Sequence, residues 1–315
     1  MKIIVGDAAT LGTDLDLSHL NALGDVEVYP LTSPQEMLAR FAGADVAIVN
    51  KLRMNRDTLG EHPTLKMIAE CATGFDNIDL DYCREKGIAV TNVKGYSTHS
   101  VAQLTLSMAL SLATNLADFR ACVASGDYTR AGVANRLEPV FHELCGKTWG
   151  IVGVGNIGRQ VARVAQAMGC RVIGFSRTAK EGIEQVTLDE LCRRADVISV
   201  HLPLSDETRG IIGAREIALM KKDAILVNVA RGAVTDEQAL AEAVLQGRIG
   251  GLGVDVYSVE PFPESHPFTA IRNHPRVCFT PHMAWGAKEA RERCLFEVAQ
   301  NIKSFLAGER RNRID

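Results

Sequence analysis

Short apolar runs alternate with helical patterns along this chain. Lys2–Val5, 26–29, Val46–Val49 and 66–70 are mostly apolar and predict strands. Between them, 34–41, 56–60 and 80–86 carry helical spacing or strong helix formers. The strand runs are continuous rather than alternating, the pattern of a parallel sheet covered on both faces. This first unit ends near Ala89-Val90-Thr91-Asn92. A long helix is predicted next: Ser97 or Thr98 can cap it, and Val101, Leu104, Met108, Leu112 and Leu116 recur along it. The stretch 124–141, with Gly126, Gly132 and Pro139, is irregular and reads as an arm.

A second unit opens at Thr148. Strands are predicted at Thr148–Val152, Arg171–Phe175, Val197–Val200, 224–229 and Gly251–Val254. Helices are predicted between them at 157–168, Leu188–Arg194, 214–220 and 236–246. One last amphipathic helix, about 287–306, follows the turn Thr280-Pro281-His282. The alternation of strand and helix predicts an α/β fold with parallel sheets.

Length and charge narrow the picture. A chain of 315 residues predicts two domains. The net charge is only -3, with both signs mixed along the chain, which argues against a nucleic-acid or membrane partner. Eight cysteines show no C-x-x-C spacing, so they predict free buried thiols and a cytoplasmic, reducing setting. No metal site is expected. The opening apolar run is too short for a signal peptide, and no run reaches membrane-spanning length.

Gly153-Val154-Gly155-Asn156-Ile157-Gly158 is a G-x-G-x-x-G that follows a predicted strand and opens a predicted helix. In that context the first glycine makes the turn, the second admits a pyrophosphate and the third lets helix and strand pack closely. An NAD enzyme usually places a carboxylate at the end of the following strand, to hold the ribose hydroxyl. Here that position reads Ser176-Arg177-Thr178. An arginine there can neutralise a 2′-phosphate, so NADP is favoured over NAD.

Three further motifs place polar groups just after predicted strands: 228–232 with Arg231, 255–261 with Glu260, and 280–285 with His282. Together with Gly74-Phe75-Asp76-Asn77-Ile78-Asp79, Ser100-Val101-Ala102-Gln103, the glycine motif and His201-Leu202-Pro203-Leu204, they cover nearly the whole chain. With these motifs the sequence resembles the D-isomer-specific 2-hydroxyacid dehydrogenase family. Thr98-His99-Ser100 and His282-Met283-Ala284-Trp285 look most like its glycerate dehydrogenase, or hydroxypyruvate reductase, branch.

The resemblance implies a Rossmann cofactor domain (97–286) and a flavodoxin-like substrate domain (1–96 with 287–315), two doubly wound units with a cleft between. It implies hydride transfer between NAD(P)H and a small 2-oxo acid, hydroxypyruvate or glyoxylate favoured, to give a D-2-hydroxy acid; phosphoglycerate dehydrogenase or another 2-hydroxyacid dehydrogenase is the alternative, and a dinucleotide-sensing corepressor a further one. Arg231 would bind the substrate carboxylate, His282 would exchange the proton, and Glu260 would orient the imidazole. Asn156, Ile157, Ser176, Leu202, Pro203, Thr208, Val229, Ala230 and Asp255 would contact the cofactor. The loop Ala72-Thr73-Gly74 would offer amides to the substrate, with Lys51, Arg53 and Trp285 as further candidates. His201 reads as structural or cofactor-adjacent. A two-fold homodimer is expected, with 101–116 and 124–141 meeting across it.

Overall fold

The computed structural model describes residues 1–60 and 64–315. The chain folds as two compact units: Met1–Ser97 with Gly286–Asp315, and Thr98–Trp285.

The first unit is built from β1 (Lys2–Val5), β2 (Asp25–Val28), α1 (Met37–Phe41), β3 (Val46–Val49), α2 (Arg56–Leu59), β4 (Met67–Glu70), α3 (Leu80–Glu85) and β5 (Ala89–Thr91). Its sheet has the order β2-β1-β3-β4-β5, with every pairing parallel. That is the flavodoxin-like order. β3 and β4 are buried at every position, which is why their sequences are apolar without alternation. The chain end returns to this unit. Ile314 donates to Val90 O at 3.0 Å, and Arg313 bridges Thr91 antiparallel, extending the β5 edge.

The second unit opens with α4 (Thr98–Ala113), α5 (Leu116–Ala124) and α6 (Asp127–Ala131). Then follow β6 (Thr148–Val152), α7 (Asn156–Ala167), β7 (Arg171–Phe175), β8 (Glu184–Gln185), α8 (Leu188–Arg194), β9 (Val197–Val200), α9 (Ala214–Leu219), β10 (Ile225–Asn228), α10 (Glu237–Leu245), β11 (Gly251–Val254) and β12 (Val277–Phe279). The sheet order is β12-β11-β10-β9-β6-β7-β8, again all parallel. Order reverses between β6 and β9, the switch point where such sheets take dinucleotides. Trp149, Ile151 and Val227 pack with α4 and α7 on one face, while Ile198, Leu226 and Leu252 pack with α8, α9 and α10 on the other. The final helix, α11 (Lys288–Leu306), belongs to the first unit.

Three expectations change. The helix predicted through Leu116 stops at Ala113, because Asn115 adopts a left-handed φ of 51° and its amide reaches Pro139 O and Val140 O. Part of the irregular arm is helical: α6 sits between Gly126 and Gly132, whose positive φ values end the helices on either side. Cys145 is exposed and Cys278 half-buried, whereas the other six thiols are buried as expected, and all eight are free. Among the described residues no helix is long and apolar enough to cross a membrane.

Candidate active site

β10 ends at Asn228, which is wholly buried and organises the turn beyond it. Its side-chain oxygen accepts from Ala230 N at 3.0 Å and its amide donates to Arg231 O at 2.9 Å. The backbone of Arg231 is thereby fixed, and its guanidinium also donates to Ala230 O at 2.8 Å. Gly232 follows in close contact with the next loop. A Cβ built there would lie 2.1 Å from the carbonyl carbon of Tyr257. No other residue fits that approach.

Glu260 lies beyond β11, in a turn closed by Tyr257 N donating to Glu260 Oε1 at 2.8 Å. Its other oxygen meets His282 Nδ1 at 2.6 Å. The two side chains keep 33% and 24% of their exposure, so the pair is sheltered yet reachable. His282 follows β12 and has a left-handed φ of 50°. A non-glycine residue holds that conformation only where its surroundings impose it. Here His282 N donates to Asp255 O at 2.8 Å, and His282 O accepts from Trp285 Nε1 at 3.0 Å.

Asp255, a candidate cofactor contact, has its carboxylate bonded within the chain. It is fully buried and accepts from Thr280 Oγ1 at 2.5 Å, Met283 N at 2.8 Å and Ala284 N at 2.9 Å. Burial raises its pKa above the usual carboxylate range, and these three donors pull it partly back. Asp255 is the anchor of the His282 loop. The Thr208 hydroxyl donates to Pro203 O at 2.7 Å and accepts from Ser205 N at 2.8 Å, closing the 203–208 turn.

The glycine motif occupies the switch point. Gly153, at φ 100°, brings its Cα against the backbone of His201 and Leu202 at the end of β9; a Cβ would lie 2.8 Å from His201 C. A Cβ on Gly158 would lie 2.3 Å from Gly153 O, so strand and helix are in direct contact. Gly155 differs: nothing lies within 4 Å of its built Cβ, leaving open space at the first turn of α7. Two tight glycines and one open one are what a pyrophosphate seat requires. Val229 and Ala230 stand at the end of β10, and Leu202 and Pro203 at the end of β9.

At the end of β7, Ser176 Oγ donates to Thr178 O at 2.7 Å and Gln185 Nε2 donates to Ser176 O at 2.9 Å. Arg177 is exposed. Lys180, not singled out from the sequence, joins this turn through Thr178 Oγ1 at 2.9 Å. No carboxylate stands between Ser176 and Lys180. His201 lies beside the glycine turn with Nε2 3.0 Å from Ser199 Oγ, and its Nδ1 is buried with no partner among the described residues. Burial pushes its pKa down to about 3.

In the first unit, Ala72 O accepts from Val93 N at 2.9 Å, Thr73 Oγ1 donates to Val93 O at 2.6 Å, and Thr73 O accepts from Asn92 Nδ2 at 2.7 Å. The Ala72-Thr73-Gly74 loop is therefore pinned at the carboxyl end of β4. Lys51 N donates to the buried carboxylate of Asp7 at 2.6 Å, while the side chains of Lys51 and Arg53 are exposed.

Residues 106–284 match the family model "D-isomer specific 2-hydroxyacid dehydrogenase, NAD binding domain". The chain is 33% identical to a glycerate dehydrogenase of Methylorubrum extorquens, over 100% of this chain and 99% of that one. It is similar to the solved structure of an acyclic imino acid reductase in complex with NADPH and D-Arg, at 32% identity and a TM-score of 0.87, with both chains fully covered. It is also similar to a D-lactate dehydrogenase from Aquifex aeolicus complexed with NAD and lactic acid, at 29% identity and a TM-score of 0.84, covering 98% of this chain and 96% of that one.

Proposed function

The chain belongs to the D-isomer specific 2-hydroxyacid dehydrogenase family, and from that premise we propose that it interconverts a small 2-oxo acid and the matching D-2-hydroxy acid. The observation that carries this reading is the 2.6 Å contact between His282 Nδ1 and Glu260. With Nδ1 turned to the carboxylate, Nε2 is left to exchange a proton with substrate. In reduction the ring donates to the 2-oxo oxygen, and in oxidation it takes the proton back. Glu260 fixes the tautomer and stabilises the charged ring. Arg231 binds the substrate carboxylate, for which a planar guanidinium offers two parallel charge-assisted bonds.

The bound nicotinamide dinucleotide supplies or accepts the hydride. Gly153, Gly155, Asn156, Ile157 and Gly158 would hold its pyrophosphate at the N-terminus of α7. Leu202, Pro203, Val229 and Ala230 would line the rest of the switch point. Ser176, Arg177 and Thr178 would take the ribose end, and the presence of Arg177 and Lys180 in one turn without a carboxylate favours a 2′-phosphate and hence NADP. Ala72, Thr73, Gly74, Lys51, Arg53 and Trp285 belong to the substrate side of this reading. Hydroxypyruvate and glyoxylate are the favoured 2-oxo acids, in keeping with the full-length glycerate dehydrogenase relative. Eight free cysteines support a reducing, cytoplasmic setting.

The test is a panel of 2-oxo acids assayed with NADH and NADPH by absorbance loss. Turnover of short 2-oxo acids is expected, with the higher kcat/KM for NADPH. Arg177→Ala should weaken NADPH use by about 1–3 kcal/mol, the range for losing a hydrogen bond to a charged group, and barely change NADH use. Equal losses with both cofactors, or a wild-type preference for NADH, would show that the 176–180 turn does not read the phosphate.

A further inference from the structure

Behind the Glu260 turn lies a second buried acid that the proton chemistry does not use. Glu237 is the first residue of α10 and only 9% exposed. Its Oε1 accepts from Ser258 N at 2.8 Å. Its Oε2 accepts from the Ser258 hydroxyl, and His266 Nε2 stands 3.0 Å from the same oxygen. His266 is itself buried, and its Nδ1 accepts from Phe268 N at 3.2 Å. A backbone amide can only donate, so Nδ1 must be bare and the ring proton must sit on Nε2, directed at Glu237. Glu237 thus receives three donors, two of them from Ser258.

Ser258 is two residues from Glu260, in the same turn. Tyr257, between Glu237's grip and Glu260's other oxygen, is braced as well. Its ring packs against Phe262, Phe268 and Phe279, and its hydroxyl donates to Thr280 O at 2.9 Å. The Gly232 backbone also lies against Tyr257 and Ser258. The turn carrying Glu260 is therefore held by both the Arg231 segment and the start of α10. These two segments are themselves joined by the short stretch 232–237.

We propose that Glu237, held by Ser258 and His266, is the positioning residue that sets the Glu260–His282 pair relative to Arg231. The proposal rests on the acid–base reading of that pair. A carboxylate suits this place because it accepts on both oxygens. Glu237→Gln keeps the size but has a single acceptor oxygen: with that oxygen on Ser258 N its NH2 group faces the His266 Nε2 donor, and with it on His266 the NH2 group faces Ser258 N, so the three bonds cannot all be kept and the turn can shift. Misplacement of an acid–base group by even a fraction of an ångström lowers kcat with less effect on KM.

The experiment compares wild type, Glu237→Gln, Ser258→Ala and Ser258→Thr, with His282→Ala and Glu260→Gln as references. It reads kcat and KM for 2-oxo acid reduction. It also reads the ring-nitrogen NMR signals of His282 in 15N-histidine-labelled protein without cofactor or substrate. Glu237→Gln is expected to lower kcat by roughly tenfold to a hundredfold with KM changed far less. It should also move the His282 Nδ1 signal toward that of Glu260→Gln. Ser258→Ala should do the same in smaller measure, and Ser258→Thr, which keeps the hydroxyl and the amide, should restore both readouts. If Glu237→Gln does not fold, Ser258→Ala decides, since it leaves the Glu237–His266 contact in place. Folded variants whose His282 signal matches wild type overturn the proposal, whatever their rates. If instead His282→Ala keeps near wild-type rates, the acid–base reading fails. The NMR comparison still tells whether Glu237 sets the pair.

Discussion

At the scale of single residues, the active-site chemistry rests on who donates to whom. His282 keeps one nitrogen for Glu260 and one for substrate, so its removal should cost on the order of 10²–10⁴ in rate, the usual worth of one acid–base group. Glu260→Gln retains an acceptor but removes the charge facing the ring, so it should lower kcat with KM largely kept. An active His282→Ala, with Glu260→Gln at wild-type kcat, would place the proton donor elsewhere. His201 offers a separate test, of stability. Its ordinary pKa of 6.5 is pushed down to about 3 by burial. Between these values the unfolded chain binds a proton that the folded chain refuses, so stability is lost as pH falls from 6.5 toward 3. Urea midpoints measured from pH 7 to pH 4 should fall less steeply in a folded His201→Gln variant than in wild type. Parallel slopes would show that another group drives the acid loss.

At the scale of elements, the β6–α7 junction separates two kinds of glycine. Gly158 faces Gly153 O, and a Cβ there would lie 2.3 Å away. Gly158→Ala must push α7 off the sheet, so it should lower thermal stability by a few kcal/mol, as overpacking does, and weaken cofactor binding with it. Gly155 has φ −84° and open space around its built Cβ. Gly155→Val should fold with a Tm close to wild type yet lose dinucleotide affinity, because the side chain fills the pyrophosphate's approach. Calorimetry of unfolding and of cofactor titration distinguishes the two. Equal stability losses in both variants would refute the assignment of Gly155 as the open glycine. The strained backbone at His282 belongs to this scale as well. Asp255, beyond β11, holds the loop after β12 by two backbone amides and one hydroxyl, which lets a left-handed histidine persist.

At the scale of the molecule, one stretch carries several exposed apolar side chains. Leu116, Val123, Val133, Leu137, Val140 and Phe141 are at least half exposed, and Leu137 keeps 76% of its surface. Together they follow α4 along α5, α6 and the irregular stretch beyond. The α4 face expected to join them is largely internal: Met108 and Leu112 pack onto Gly253 and Gly251 of β11. The homodimer we infer would therefore be built on the 116–141 stretch more than on α4. Sedimentation at micromolar concentration should give twice the 34.2 kDa of one chain. Paired Leu137→Glu and Val140→Glu substitutions, both at exposed positions, should yield a folded monomer. A wild-type monomer would end this reading.

The sequence by itself determined what depends on local pattern. Unbroken apolar runs marked strands buried on both faces at β3 and β4, whereas β2, at the sheet edge, is largely exposed. The G-x-G-x-x-G between one strand and one helix located the switch point before any topology was known. Arg231, Glu260 and His282 were legible because each follows a strand, where parallel sheets present their chemistry. Contacts between distant segments were not legible. Asp255 reads only as a cofactor contact, and the packing of the 280–284 loop shows it buried and bonded to that loop as well. Glu237, Ser258 and His266 are up to 29 residues apart, and no spacing rule links them. Lys180 lay beyond the position where the cofactor rule directs attention. The break at Asn115 was hidden because its side chain finds its partners 24 and 25 residues away. Periodicity records which face of an element is buried. Hydrogen bonds of buried polar groups are satisfied by whatever the fold brings near them, and that is settled only when the chain has closed on itself.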